Sequence, residues 1–439
     1  MLKARNDAGQ ALVVVALAMI VILGFLGLGI DLGYLRYMKR QLQKVADAAA
    51  LAGAMELSYC GGTSNCSALT AAAQDALTEN GFTSSTLVKS CGTGTGNLTI
   101  TVNNPPCYLG SADPHNGDAH YVEVVVSQVE PLMFAKLLGV RNATITARAE
   151  AALGSSSTCM VALNPTGQAA INVNNGATLN LSSCGMYVDS SSATAVSVTG
   201  GATLRATTIN IVGNYTANNG GTISPTPNTG VAAVSDPLSY LPPPPGGPPY
   251  TCAHTNFTAS DQNETLQPGV YCGGITIGNN SNVTFAAGTY VIAGGGLCVG
   301  CNGGGGSVTG TTGVTFFLTG TAQYPYGPVT VENGMSPNLV APTSGTYAGI
   351  LFYQDPNAVC PSSGCASSLF TGGTSSLLQG ALYFPTTSMT FSNGSSAQYT
   401  IIVAQTITVN GGSTATLNSN YSSLPGGSPL KGTNAALGE

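Results

Sequence analysis

The amino-acid sequence predicts a mixed α and β protein, with an N-terminal transmembrane and stalk helix, a small α+β region, and a mainly β body folded as a right-handed parallel β-helix. Three observations lead to this prediction. Residues 8–30 carry no charged side chain. Ten of the twelve Lys and Arg residues lie before residue 151, so the chain changes character there. Beyond that point, short β-rich runs broken by Gly and Asn repeat a common motif.

The first element is a long helix. An uncharged helix over residues 8–30 reaches about 35 Å at roughly 1.5 Å per residue, which is enough to cross a bilayer. From Leu35 to Ala49, apolar residues recur at helical spacing with basic residues between them, which is typical of an amphipathic helix. We therefore expect a single helix that anchors the chain in the lipid bilayer and continues beyond it as a stalk.

This helix combines several features in a fixed order. Gly9 precedes the apolar run, Asp31 stands at its far end, and the basic segment that follows closes on residues 46–54, which contain Asp47. Over about residues 9–54 the arrangement resembles the N-terminal segment of TadE/TadG-like Flp (tight adherence) pilus-assembly proteins. The resemblance implies a cell-envelope component of the Tad pilus apparatus, whose N-terminal helix contacts pilus or pseudopilin subunits. It also makes Gly9 a candidate processing site.

Two glycines near the end of the apolar run form a GxxxG pair, Gly29 and Gly33. This spacing lets two membrane helices approach closely. Glycine is also common in membrane helices in general, and we favour that plainer interpretation. Both glycines are kept as candidate assembly residues together with Asp31 and Asp47.

The segment after the stalk predicts a compact α+β region. Helical and alternating patterns follow one another as a helix at 67–80, strands at 97–103, 121–129 and 144–153, and a short helix at 132–138. This order resembles a pilin-like head, in which a long N-terminal helix packs on a small antiparallel sheet. Its expected role is to pack against sister subunits.

The β-rich body is predicted from its repeats. The motif at Gly176–Leu179 returns 25 residues later at Gly201–Leu204, residues 412–417 echo it, and Val283–Phe285 recurs 31 residues later at Val314–Phe316. Periods in this range indicate stacked coils. Each coil would turn inward alternate apolar residues and turn its corners at Gly or Asn. Because the repeat lengths are irregular, an antiparallel β-sandwich is the alternative.

These patterns predict six segments. They are residues 1–58 for the leader, transmembrane helix and stalk, 59–154 for the pilin-like domain, 155–223 for the first solenoid part, 224–250 for a proline-rich linker, 251–421 for the second solenoid part, and 422–439 for a loose tail. The linker holds nine prolines, which favour an extended polyproline conformation. It either lies along the solenoid or separates the two parts.

All twelve cysteines follow the apolar run, and their even number indicates disulfides formed in an oxidising compartment. Proximity in the sequence predicts the pairs Cys60–Cys66, Cys91–Cys107, Cys159–Cys184, Cys252–Cys272, Cys298–Cys301 and Cys360–Cys365. Oxidation requires that these residues leave the cytoplasm. We therefore expect a single-pass inner-membrane protein whose C-terminal region lies in the periplasm or on the cell surface.

Few residues are arranged for chemistry. His115, His120 and Asp118 share one polar loop, but such turn-rich loops occur without metals. The CxxC motif at Cys298–Cys301 resembles half of a zinc site, although a structural disulfide is the simpler interpretation. A glycosidase needs two converging carboxylates, and those beyond residue 150 are scattered. We assign no catalytic, cofactor-binding or metal-binding residue and expect no enzymatic activity.

The net charge of −6 and the lack of basic clusters with interleaved aromatics argue against a nucleic-acid partner. The sequence instead predicts a structural protein of the cell envelope. The alternative is a surface adhesin or a glycan- or ice-binding solenoid, in which Thr, Ser and Asn faces contact the ligand. Regular outward rows of threonine would favour this alternative.

Overall fold

A computed structural model describes residues 8–60, 63–82, 87–88, 91, 96–153, 158–278, 280–301, 303, 305–332, 335–371, 376–392, 397–412, 414–424, 427–430 and 435–438. The chain forms two compact units. Unit 1 contains residues 1–57, 64–154 and 434–439, and unit 2 contains residues 58–63 and 155–433. Unit 2 is therefore an insertion in the sequence of unit 1.

Unit 1 combines two helices with a small sheet. The helices are α1 (Ala8–Met55) and α2 (Ser67–Glu79). The first four strands are β1 (Leu87–Val88), β2 (Leu98–Asn103), β3 (Tyr121–Pro131) and β4 (Asn142–Leu153). They pair in chain order, β1 with β2 in parallel and the others antiparallel. Short 3₁₀ turns lie at Leu57–Cys60, Gly110–Ala112 and Ala135–Leu138 among the described residues.

The second half of α1 packs on this sheet. Its contacts are with β3, β4 and α2. Leu42, Val45, Ala46, Ala49 and Ala50 are buried, and the small size of the alanines brings the helix close to the strands. The helix at 67–80 and the three strands that the sequence predicts in unit 1 are present, with ends within about two residues.

Unit 2 is mainly β, and its strands are short. The first part contains β5 (Thr158–Ala162), β6 (Ile171–Val173), β7 (Thr178–Leu181), β8 (Gly185–Val188), β9 (Val196–Thr199), β10 (Thr203–Ala206), β11 (Ile209–Ile211), β12 (Tyr215–Asn218), β13 (Thr222–Ser224) and β14 (Asn228–Thr229). The second part contains β15 (His254–Ser260), β16 (Asn263–Leu266), β17 (Gly269–Gly278), β18 (Asn282–Phe285), β19 (Gly288–Ala293), β20 (Leu297–Val299), β21 (Ser307–Gly310), β22 (Val314–Thr319), β23 (Val329–Val331), β24 (Asn338–Val340), β25 (Ile350–Gln354), β26 (Ser368–Phe370), β27 (Leu377–Phe384), β28 (Met389–Phe391), β29 (Thr400–Ala404), β30 (Ile407–Val409) and β31 (Thr414–Thr416).

These strands pair in parallel with strands further along the chain. We call the segment of chain between two such paired strands a coil. Thr178 lies opposite Thr203 and Leu179 opposite Leu204, which makes the 25-residue repeat one coil. Buried apolar residues alternate with outward ones, as in the strand Ile171–Val173. Asn175 and Gly176 turn one corner with φ of 54° and 73°, values that suit Asn and Gly. The described strands of this stack pair in parallel, so the antiparallel sandwich alternative is wrong.

The coils are not stacked in the order of the sequence. Ile402 lies opposite Met160, Ile407 opposite Ile171, and Thr414 opposite Thr178. The last coil of the second part therefore docks on the first coil of the first part. The similarity of residues 412–417 to the first repeat is explained by this direct pairing.

The 31-residue repeat predicted at Val283–Phe285 does not define a coil. Val283 pairs with Val308, and Val314 pairs with Gly288. The prediction failed because similar apolar triplets lie in two different columns of strands. The aromatic rings nevertheless form a continuous core, in which Phe316 contacts Phe285 at 4.9 Å and stacks on Phe352 at 5.2 Å between ring centroids.

The proline-rich segment lies along the stack. Leu238 and Leu241 are buried in the core of unit 2. The hydroxyl of Tyr353 donates to the Leu241 carbonyl at 2.8 Å, and that of Tyr347 to the Pro242 carbonyl at 2.9 Å. Of the two arrangements that the sequence left open, the structure has this one. We call residues 234–250 the strap.

The C-terminal stretch differs from the loose tail that the sequence predicts. Leu424 and Leu430 are buried in unit 2. A last strand, β32 (Ala435–Gly438), then pairs antiparallel with β4 in unit 1. The low content of large apolar residues concealed this strand, because its pairing comes from backbone hydrogen bonds to an existing sheet edge.

Candidate functional site

The first feature of functional interest is the exposed half of α1. Among the described residues, α1 is the one helix long and apolar enough to cross a membrane. From Leu12 to Leu26 its large apolar side chains are exposed, and Leu12 is 73% exposed. From Leu42 onward the helix packs on unit 1. A surface of this kind is stable in lipid and not in water.

Asp31 joins the end of the apolar run to the loop between β3 and β4. It is 5% exposed, and its carboxylate accepts hydrogen bonds from the backbone amides of Met133, Phe134 and Ala135 at 3.0, 2.9 and 2.6 Å. Ala135 is the first residue of the turn Ala135–Leu138 and Phe134 is its N-cap, a position where backbone N–H groups lack partners within the turn. Asp31 therefore ties the helix to the loop.

Further contacts extend this attachment along the helix. Phe134 packs over Gly27, where an added Cβ would lie 2.6 Å from the ring. Tyr34 donates its hydroxyl hydrogen bond to Glu130 at 2.8 Å, and Gln43 donates to the Arg148 carbonyl at 2.7 Å. Lys39 donates to the Thr146 carbonyl. The helix is consequently held to unit 1 from Gly27 onward.

The other helix residues that the sequence singles out make few contacts. Nothing lies within 4 Å of a Cβ placed on Gly29 or Gly33, so both leave an open face on the helix. Asp47 accepts a hydrogen bond from Gln43 at 2.8 Å on the stalk. Gly9 lies in the first turns of α1, and its role as a processing site stays a prediction.

A buried ionic cluster in unit 1 was not predicted. Arg148 contacts Asp113 and Glu150 and donates through Nε to Glu123 at 2.6 Å, and these three carboxylates are fully buried. Glu123 also accepts from Asn103 at 2.7 Å and from the amides of Cys107 and Tyr108 at 3.0 Å. The sequence signal was the presence of Glu123, Arg148 and Glu150 within two strands that are otherwise largely apolar.

Burial raises the pKa of Asp113. Hydrogen bonds to Glu150 and to the His115 amide and the positive charge of Arg148 outweigh this effect, so the pKa of Asp113 is lowered overall. Burial and the hydrogen bond to Asp113 raise the pKa of Glu150. Burial disfavours the charged guanidinium, yet its carboxylate partners raise the pKa of Arg148. The pKa values of Asp113 and Glu150 are therefore shifted in opposite directions by the same cluster.

The same cluster contains the best metal-like geometry among the described residues. One ligand atom each from Asp113, His115 and Glu150 lies within 4.8 Å of the others. However, Arg148 already bonds to both carboxylates, and a guanidinium takes the place where a cation would be attracted. His120 instead pairs with Asp118 at 2.6 Å on the surface. The arrangement fits a structural ion network better than a metal centre.

Disulfides occur in both units. The described bonds join near neighbours in the sequence: Cys91 to Cys107, Cys159 to Cys184, Cys252 to Cys272, Cys298 to Cys301, and Cys360 to Cys365. Cys60 and Cys66 are also disulfide-bonded. No free cysteine is present in the described part of the chain. A CxxC closed as a disulfide offers no thiolate for zinc.

The outer surface of unit 2 carries regular polar rows. Thr414, Thr178, Thr203 and Thr222 follow one another in register on four adjacent strands, and the Thr222 hydroxyl donates to that of Thr203 at 3.1 Å. On other strands, Asn282 lies opposite Asn263 and donates to it at 2.7 Å. We call the first row the threonine ladder.

Comparison with known proteins finds two family models that match the N-terminal part of the chain. Residues 9–56 match the family described as putative Flp pilus-assembly TadE/G-like, and residues 52–151 match the family described as putative Tad-like Flp pilus-assembly. The N-terminal part of the chain is therefore Tad-like. This confirms the resemblance at residues 9–54 and extends it to residue 151. No curated protein and no solved structure matches the chain.

The Tad-like match covers α1, α2 and strands β1 to β4. It ends close to the boundary of unit 2 at residue 155. The membrane-type helix, the Asp31 attachment and the ionic cluster thus belong to the Tad-like part. The stack of coils lies outside it.

Proposed function

We propose that this protein is a structural component of a Tad/Flp pilus-assembly system, anchored in the inner membrane by residues 8–30 of α1. Units 1 and 2 lie on the periplasmic side or at the cell surface. The single observation that carries the proposal is the division of α1 into an exposed apolar half and a half packed on a Tad-like sheet. One helix therefore has an apolar half suited to lipid and a second half that packs on protein.

The disulfides support the proposed side of the membrane. Such bonds persist in oxidising compartments and are rare in the cytosol. Because α1 is the one described helix able to cross a membrane, everything after residue 30 would lie on one side. The orientation that gives all twelve cysteines access to oxidant places both units outside the cytoplasm.

We propose that unit 2 is a right-handed parallel β-helix interrupted by the strap, and that its role is architectural. Parallel register between successive coils and the continuous apolar core support this fold. The pairing of the last coil with the first makes it one body. The pilin-like region of residues 59–154 would pack against pilus or pseudopilin subunits, together with the open face of α1 at Gly29 and Gly33.

The membrane side is tested with reporter fusions after residue 439 in the full chain. Alkaline phosphatase, which needs an oxidising compartment, is expected to be active, and β-galactosidase at the same position is expected to be inactive. The opposite pair of results would place both units in the cytoplasm and overturn the proposal.

Partner binding is tested by replacing residues 9–30 with an unrelated apolar span of the same length. We expect the variant to remain in the membrane fraction but to lose copurification with Tad pilus proteins in mild detergent. The wild-type chain is the matched control. Equal recovery of these partners by both proteins would show that the helix does not mediate assembly.

A second candidate function is binding to a glycan or another ordered surface. The threonine ladder favours it, because hydroxyls spaced by the strand separation of about 4.8 Å form a flat, regular polar row. Glycan-array binding and ice-recrystallisation assays on the detergent-solubilised full chain test it. Replacement of Thr178, Thr203 and Thr222 by Val should abolish any binding that depends on the hydroxyls. Unchanged binding by this variant would refute the ladder as the site.

A further inference from the structure

The loop between β3 and β4 exposes more apolar surface than is favourable in water. Met133, Leu137 and Leu138 are 76%, 85% and 73% exposed, and Val140 is exposed as well. We call residues 132–140 the apolar loop. Single exposed apolar residues are ordinary on protein surfaces, but a contiguous group marks an interaction site.

The apolar loop lies against the end of the apolar run of α1. Phe134 packs on Gly27, and the loop amides bond to Asp31. Gly27 lies within the uncharged run of α1, and Asp31 is the first charged residue beyond it. The apolar loop is therefore attached at the end of the span nearest to the sheet of unit 1. Its exposed side chains continue the apolar surface that α1 presents to lipid.

Polar residues around the loop fit the boundary of a bilayer. Tyr34 and Tyr37 are exposed one and two turns beyond the contact with the loop, and tyrosine is enriched where membrane meets water. Lys136 and Arg141 are exposed beside the apolar side chains. Long basic side chains reach from an apolar surface to headgroups and are attracted to anionic lipids.

We propose that the apolar loop inserts into the bilayer surface beside α1, with Met133, Leu137 and Leu138 among the acyl chains and Lys136 and Arg141 at anionic headgroups. The inference rests on the proposed anchoring of α1 in the membrane and adds a second lipid-contacting site. The two sites, joined through Asp31, would hold unit 1 at a set height and rotation on the membrane. A single spanning helix would leave that rotation free.

The sequence contains no tryptophan, so one introduced tryptophan reports its own surroundings. The test uses the full chain in phosphatidylcholine–phosphatidylglycerol vesicles, with or without lipids brominated near the headgroup end of the acyl chains. The loop variant is Leu137→Trp. The control in the same unit is Leu109→Trp, an exposed leucine near the opposite end of β3. The anchor is reported by Leu23→Trp.

We expect brominated lipid to reduce the emission of the L137W protein by about half or more and to leave the L109W protein unchanged. The L23W protein should also be quenched, which establishes that α1 is inserted. Quenching of the L23W protein without quenching of the L137W protein would overturn this inference and leave the anchor intact. Quenching of neither would overturn the anchor as well.

The lipid partner is also distinguished from a second protein. If the tryptophan at position 137 is shielded from aqueous iodide but unaffected by brominated lipid, protein covers the loop and the inference fails. A further variant, Lys136→Glu with Arg141→Glu, is expected to reduce quenching at position 137 in vesicles that contain phosphatidylglycerol. Equal quenching in the parent and this variant would remove the role assigned to the two basic residues.

Discussion

The carboxylate of Asp31 accepts a hydrogen bond of 2.6 Å from the backbone amide of Ala135, 104 residues later in the chain. This contact joins the end of the apolar run of α1 to the loop after β3. Two more amides converge on the same carboxylate. The membrane-type helix and the Tad-like sheet are thereby connected at a defined point.

Replacing Asp31 by Ala should release the apolar loop, because three backbone amides lose their acceptor at once. We expect cleavage within residues 132–141 by a protease, in detergent, to become roughly tenfold faster. Asp31→Asn, which keeps an acceptor oxygen without the charge, should be intermediate. Equal cleavage rates in the D31A and wild-type proteins would show that the carboxylate does not hold the loop.

A side chain at Gly27 should displace Phe134. The Cβ of Gly27→Leu would meet the Phe134 ring at 2.6 Å, whereas nothing lies within 4 Å of that position at Gly24. Overpacking of this kind costs about 1–3 kcal/mol. We expect Gly27→Leu, but not Gly24→Leu, to lower the stability of unit 1 in urea titrations in micelles. Similar stability of the two variants would contradict the packing.

The ionic cluster should be sensitive to loss of its cation. Arg148→Met removes the guanidinium that the buried carboxylates of Glu123, Asp113 and Glu150 share, and breaking a buried pair costs about 3–5 kcal/mol. Arg141→Met, at an exposed position just before β4, should change stability by less than about 0.5 kcal/mol. Chemical denaturation followed by circular dichroism measures both, and equal losses would refute the role of the cluster.

Acid should act on unit 1 through Asp113. Its folded pKa lies below the ordinary value of 3.8, so its contribution to stability is full above that pH and is lost as the pH falls through the folded pKa. Asp113→Asn should flatten this acid limb while lowering stability at neutral pH. Acid titration of both proteins by circular dichroism tests it, and coincident acid limbs would contradict it.

The strap should loosen when one tyrosine hydroxyl is removed. Tyr383 donates to Asp236 at 2.6 Å in a partly buried hydrogen bond, and such a bond contributes about 0.5–1.5 kcal/mol to stability. We expect Tyr383→Phe to increase proteolytic cleavage within residues 234–250, followed by mass spectrometry. Tyr324→Phe, whose hydroxyl bonds to the exposed Gln323, is the control. No difference between the two would show that this hydrogen bond does not hold the strap.

Each disulfide should stabilise the folded protein by an amount that increases with the number of residues in the loop that it closes. Cys159–Cys184 closes 25 residues and Cys360–Cys365 closes five, for which chain entropy predicts roughly 3.5 and 2 kcal/mol. The corresponding double alanine variants should differ in this direction in guanidinium titrations. Thiol titration of the unfolded, unreduced wild-type protein should find no free thiol. Free thiols, or a reversed order of stabilities, would contradict the assignment.

The sequence by itself determined the features that depend on neighbours along the chain. The uncharged run of residues 8–30 and the amphipathic stalk are local patterns, and both lie in the helix α1. The resemblance at residues 9–54 is also local, and the family match over residues 9–56 confirms it. The 25-residue repeat also appeared as a coil, because identical motifs one coil apart lie in register. Periodicity in the sequence reports which face of an element is buried.

Only the tertiary structure decided which distant segments meet. The pairing of Ile402 with Met160, the strap along the stack, the return of β32 to β4, and the bonds of Asp31 and Arg148 join residues far apart in the chain. Backbone pairing is nearly independent of side-chain identity, so many partners satisfy the same short β-strand. The choice among them is made by the shared core and by the buried charges that need a partner.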